Sequence, residues 1–153
     1  DRWVPLTDEN SNQKMINSNF SQTNSKILAI KYSGDNPHED AELYSQSLKE
    51  NITTFDSGVI GLGDDGHIAS LFPNTAGLEE TDNLFIANEV NIISKWRITS
   101  TFKLLSNISN LYLLVTGENK KDILSKALNG SALPVNKLLK MRENTVIITD
   151  LDV

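Results

Sequence analysis

Three short apolar runs constrain this chain more than any other feature: "FDSGVIGLG" (55–63), "NLYLLVTG" (110–117) and "NTVIITD" (144–150). Each has the length and apolar content of a buried strand, and helix-length segments lie among them. Strands separated in this way predict a mostly parallel sheet with right-handed crossovers. "KILAIKY" (26–32), closed by the turn cluster "SGDNP", and "LFIANEV" (84–90) are further strand candidates. "PHEDAELYSQSLKE" (37–50) opens on proline and two acids, which suits a helix first turn, and Ala41, Leu43, Tyr44 and Leu48 give it a partial apolar stripe. "ENKKDILSKALNG" (118–130) places Ile123, Leu124, Ala127 and Leu128 on one helical face and ends on Gly130. "TSTFKLLSNIS" (99–109) is a third helix candidate, and the polar stretch 17–25 is expected to be a surface loop. The expected fold class is α/β: a doubly wound, mostly parallel sheet flanked by helices.

Bulk properties narrow the function. At 153 residues the chain amounts to one domain. Its net charge of −6 argues against a nucleic-acid partner, which requires a clustered basic surface. Apolar runs such as "LYLLV" are too short to span a membrane. There is no cysteine, hence no disulfide or thiolate chemistry, and only His38 and His67 are available, which disfavours a histidine-rich metal site. A soluble, cytoplasmic, mildly acidic domain is expected.

In open α/β sheets, ligands bind where strand-to-helix turns converge at the carboxyl ends of strands. Two such turns carry suggestive chemistry, "GLGDDGH" and "TGENKK". Gly61, Gly63 and Gly66 fit the G-x-G-x-x-G spacing of a dinucleotide turn, with Glu79, Glu80 and Asp82 near the offset of a ribose-binding acid. The context opposes that reading: Pro73 disfavours helical geometry at Phe72 and leaves less than two helical turns after Gly66. The alternative is a tight turn that presents His67 as a proton carrier, with a short helix starting near it whose free amides face an anion or oxyanion. Set against this is the plainer possibility that His67 only caps or packs the turn.

The stretch "GLGDDGHIASLFP" (61–73) resembles the signature of 6-phosphogluconolactonases, G-x-G-x-D-G-H-x-A-S-L-F-P, in the glucosamine/galactosamine-6-phosphate isomerase superfamily. "DRWVP" resembles that family's D-E-R-x-V-P segment, with Asp1 at the glutamate position, and Ser11 and Asn12 follow as its "SN". "WRIT" (96–99), "TGENK" and "LPVNKL" resemble later family segments, so the likeness covers essentially the whole chain. The resemblance implies a carboxylic ester hydrolase of the pentose phosphate pathway. Its reaction is hydrolysis of 6-phospho-D-glucono-1,5-lactone to 6-phosphogluconate, with no cofactor and no metal. On this reading His67 takes a proton from water and returns it to the departing ring oxygen. Asp65 orients or charge-stabilises His67, or else serves only as a turn-forming aspartate. Gly63 and Gly66 fall in the substrate-binding turn, and Arg2 and Lys120 contact phosphate or developing negative charge. Arg97 is a further candidate at the same site, with a structural role on a strand rim as the alternative. The expected partner is a small phosphosugar lactone rather than nucleic acid or membrane, and the chain is expected to act as a monomer.

Two rival functions stay open. Glucosamine-6-phosphate deaminases and isomerases share a similar turn but continue into a stretch that supplies an acid, whereas here "IASLFPN" has no carboxylate before Glu79. A non-catalytic sugar-phosphate sensor of the same fold need not keep a base. The opening inside a "DERxVP"-like segment further suggests that residues 1–153 form the C-terminal two-thirds of a single lactonase domain. About 70–90 residues, two βα units, would then precede them.

Overall fold

A computed structural model describes residues 1–20, 24–92 and 94–153. Among these, the elements in chain order are α1 (Asn12–Phe20), α2 (Pro37–Asn51), β1 (Ser57–Gly61), β2 (Phe85–Ile92), β3 (Ser94–Ser100), α3 (Phe102–Ser106), β4 (Asn110–Val115), α4 (Lys121–Leu128), α5 (Pro134–Met141) and β5 (Val146–Thr149). Strands β1, β4 and β5 form a parallel sheet with β4 in the centre, and helices flank it. The α/β expectation holds. Strands β2 and β3 stand apart as an antiparallel pair.

Alternation along β4 explains where the core sits. Leu111, Leu113 and Val115 point to one face and are buried against Leu105 of α3, Ile123, Leu124 and Ala127 of α4, and Val135 and Leu138 of α5. The intervening residues form the opposite face, where Val59, Leu114, Val146 and Ile148 are exposed. Period-two geometry makes this division unavoidable once one face is filled.

Helices α2 and α4 begin and end as their sequences dictate. Asn36 accepts a hydrogen bond from the His38 amide at 3.0 Å, Pro37 occupies the first turn, and Glu39 and Asp40 follow. Ala41 and Leu48 of the predicted stripe are buried, whereas Leu43 faces solvent. Helix α4 buries Ile123, Leu124 and Ala127 but leaves Leu128 exposed, and Gly130 follows it in the left-handed region at φ 80°.

Several sequence expectations need correction. Lys26–Tyr32 forms no strand; Ile30 is instead bracketed by the Gln13 amide, which donates to Ile30 O and accepts from Ile30 N, both at 2.9 Å. A side chain there does the work of a neighbouring strand. The helix expected over 99–109 shrinks to α3, because Thr99 and Ser100 complete β3 and Thr101 caps the helix through Leu104 N. Of the expected loop at 17–25, Asn17–Phe20 close α1, and 21–23 lie outside the described residues. Segment 134–141, matched only by resemblance, is helix α5, started by Pro134.

Candidate active site

The turn after β1 is built around His67. Gly66 N donates to Gly63 O and Gly63 N to His67 O, both at 2.9 Å, so the loop is closed twice within five residues. Gly66 takes φ 83°, a conformation that favours glycine, and a Cβ there would press on Leu133 at 2.9 Å. Gly63 has a different reason: a Cβ would sit 2.0 Å from His67 Nδ1, so the imidazole lies directly over a bare backbone. Phe72 covers the ring by stacking, with centroids 4.0 Å apart and planes at 25°.

Asp65 fixes the ring's proton. Its Oδ1 accepts both the His67 amide at 3.1 Å and the ring Nδ1 at 2.6 Å. Partial burial pulls the Asp65 carboxyl upward, but the amide and ring hydrogen bonds and the charge of His67 outweigh it, and the carboxyl is held below its ordinary range. An ionised carboxylate only accepts, so Nδ1 carries the hydrogen, and in the neutral ring it is Nε2 that presents a lone pair. One oxygen of Asp65 thus contacts both the backbone of the turn and the ring.

No helix starts at His67, contrary to expectation. Ile68 and Leu71, both fully buried, pair across a tight turn with Leu71 N donating to Ile68 O at 2.9 Å, which leaves Ala69 at φ 50°. Burial of two large side chains three residues apart wins over helix formation. Without a crossover helix, the dinucleotide geometry is absent too. Of its proposed acids, Glu80 accepts from the Asp82 and Asn83 amides at 2.6 and 2.8 Å, and Glu79 pairs with Lys137. The segment is moored to the β2–β3 pair: Ser70 N donates to Thr99 Oγ1 at 2.9 Å, and buried Asn88 donates to Ser70 O at 2.8 Å.

Arg2 and Arg97 line the same cleft as His67, a hollow of about 450 Å³. Residues 1–3 lie along β3, with Ile98 N donating to Asp1 O at 2.9 Å and Trp3 N to Trp96 O at 3.0 Å, so Arg2 and Arg97 meet as an antiparallel pair. Arg97 is 5% exposed and its guanidinium is held by the carbonyls of Ser94 at 3.0 Å and Ile92 at 2.7 Å. Burial, then the neighbouring charge of Arg2, pulls its pKa below the ordinary arginine value. Arg2 donates to Asn10 O at 2.9 Å, and its buried Nε has no partner. Among the described residues neither guanidinium is paired with a carboxylate. Two adjacent cations without a counter-ion are relieved by an incoming anion.

Lys120 sits beside the cleft rather than in its lining. It follows β4, the parallel neighbour of β1, and its ammonium pairs with Asp64 of the histidine turn. The cleft also takes in residues that sequence reasoning did not assign: Asn12, Asp64, Ala69, Ser70, Phe72 and Ile92. Asp1, noted only as a glutamate replacement, caps α1 through the Asn12 and Gln13 amides at 3.0 and 2.8 Å. Asp64, Ala69, Ser70 and Phe72 were the most findable of these, since they lie within the stretch 61–73. Asn12 and Ile92 reach the cleft through chain crossings with no local signal.

The cleft thus brings together an imidazole oriented by a carboxylate and two adjacent guanidiniums, beside the carboxyl end of a parallel strand. Residues 1–147 match the family Glucosamine-6-phosphate isomerases/6-phosphogluconolactonase, and the chain belongs to that family. A 6-phosphogluconolactonase of Chlamydia muridarum is 40% identical over 96 residues, covering 61% of this chain and 37% of that protein. One from Helicobacter pylori is 30% identical over 156 residues, covering 95% of this chain and 66% of that protein. The crystal structure of a 6-phosphogluconolactonase from Shewanella baltica is similar with a TM-score of 0.87 at 28% identity, over 97% of this chain and 68% of that one. Matches to these two curated relatives thus span from about a third to about two thirds of their length.

Proposed function

We propose that this chain hydrolyses 6-phospho-D-glucono-1,5-lactone to 6-phosphogluconate. The observation that carries the reading is the Asp65–His67 pair at 2.6 Å, in the same cleft as two guanidiniums that have no carboxylate partner among the described residues. A lactone carbonyl is already electrophilic, so a base that activates water and a means of stabilising the oxyanion suffice. Nε2 of His67 removes a proton as water attacks the carbonyl carbon, and the carbonyl electrons move onto its oxygen. When the tetrahedral intermediate collapses, the bond to the ring oxygen breaks and His67 returns the proton to that oxygen. Asp65 stabilises the imidazolium between these steps. Arg2, Arg97 and Lys120 supply positive charge for phosphate and oxyanion, and Gly63 and Gly66 let the turn approach substrate closely.

The rest of the reading is a monomeric cytoplasmic enzyme working on a small phosphosugar lactone, apart from nucleic acid and membrane. The acidic net charge speaks against a nucleic-acid partner, and among the described residues no helix is long and apolar enough to cross a membrane.

The deaminase alternative needs an acid close behind His67. The first one, Glu79, is paired with Lys137 and lines a different hollow beside α5. The test is a substrate panel. Lactone hydrolysis well above the spontaneous background, with no release of ammonia from glucosamine 6-phosphate, is expected. Deamination would replace the lactonase reading, and binding of sugar phosphates without turnover would make the protein a sensor.

A further inference from the structure

We infer that Asp64 is a specificity-determining residue: it serves as an internal counter-ion for Lys120 and is replaced by the phosphate of the substrate. The inference rests on the lactonase reading and adds to it. Because β1 and β4 are parallel neighbours, with Gly61 opposite Leu114, the turns after them lie side by side, and Asp64 meets Lys120 there. The two partners are unequally placed. The Lys120 side chain is 22% exposed, whereas that of Asp64 is 78% exposed and lines the cleft. The lysine is tucked behind, and the carboxylate stands where an anion from solvent would arrive.

The other cleft carboxylates are committed. Asp1 caps α1 through two amides, and Asp65 holds both the amide and the ring of His67. Among the described contacts Asp64 has Lys120 alone. An ion pair this exposed adds little to stability, so its effect falls on what binds there. A phosphate dianion that approaches Lys120 meets a fixed negative charge first and must displace it. Asp64 thereby weakens binding of every anion at this corner, and does so through Lys120.

The test compares the wild type with Asp64→Asn, in the native and in a Lys120→Met background. Removing the charge is expected to lower KM for the phosphorylated lactone about three- to tenfold at low salt, as expected for one like charge removed near a dianion. The gain appears in KM rather than kcat, fades at high salt, and is absent for unphosphorylated gluconolactone. In the Lys120→Met background the same substitution changes KM by less than about twofold, since coupled residues are not additive. An unchanged or raised KM in the native background, or a gain that persists without Lys120, overturns the inference. Calorimetric titration with inorganic phosphate separates it from the underlying reading. Tighter phosphate binding by Asp64→Asn in a protein whose wild type hydrolyses no lactone keeps the counter-ion and sinks the lactonase. Unchanged phosphate binding in an active enzyme does the reverse.

Discussion

The two walls of the cleft are held by opposite means. On the histidine wall, contacts local to Gly63–Phe72 hold the ring: backbone hydrogen bonds close the loop, Asp65 pins the ring from the side, and Phe72 covers it. The arginine wall has no local unit. Arg2 and Arg97 come from distant segments and meet only because residues 1–3 run along β3. The difference matches the work proposed for each wall. Proton transfer depends on the position and tautomer of one nitrogen, so its surroundings over-determine it. Anion binding depends on charge spread over a surface, which tolerates looser placement and gains when the cations lack partners.

The contrast can be broken most severely at Gly63. Gly63→Ala puts a methyl where the imidazole lies, and the ring must leave both Asp65 and Phe72. Turnover is expected to fall about 10²-fold or more, close to the effect of losing the base, with little change in melting temperature. A variant of normal activity would show that the ring's position is not restricted. On the other wall, Arg2→Met removes charge without disturbing the turn. Its loss in kcat/KM for the phosphorylated lactone is expected to be about ten- to a hundredfold, the range of one or two charged hydrogen bonds. Equal losses on unphosphorylated gluconolactone would instead assign Arg2 to the carbonyl.

The smallest effect concerns acid. Asp65 is held below its ordinary pKa when folded, so its ionisation favours folding above the unfolded value near 3.8. That contribution disappears as pH falls through the lowered folded value. Wild type is therefore expected to melt slightly above Asp65→Asn at neutral pH, with the gap closing in strong acid. A gap independent of pH would mean that the aspartate acts through shape alone.

This division also governs what was legible in the sequence. The strands β1, β4 and β5 and the helices α2 and α4 announce themselves through local periodicity, caps and glycines, and they form where expected. The histidine turn was legible for the same reason, since its residues are neighbours in sequence. Legibility failed wherever a distant partner decides the outcome. Residues 26–32 have strand composition but are bracketed by Gln13, and the segment after His67 gives up a helical turn to bury Ile68 and Leu71. The arginine pair and the Asp64–Lys120 contact arise from strand adjacency, which composition and spacing do not encode.

If His67 is the base of a lactone hydrolase, His67→Asn is the decisive variant. Hydrolysis of 6-phosphogluconolactone should be followed for wild type and variant over the spontaneous background, with folding verified by circular dichroism and melting temperature. An intact fold is expected, with a rate roughly 10²–10⁴-fold lower, approaching the background. A folded variant that turns over near the wild-type rate would contradict that role.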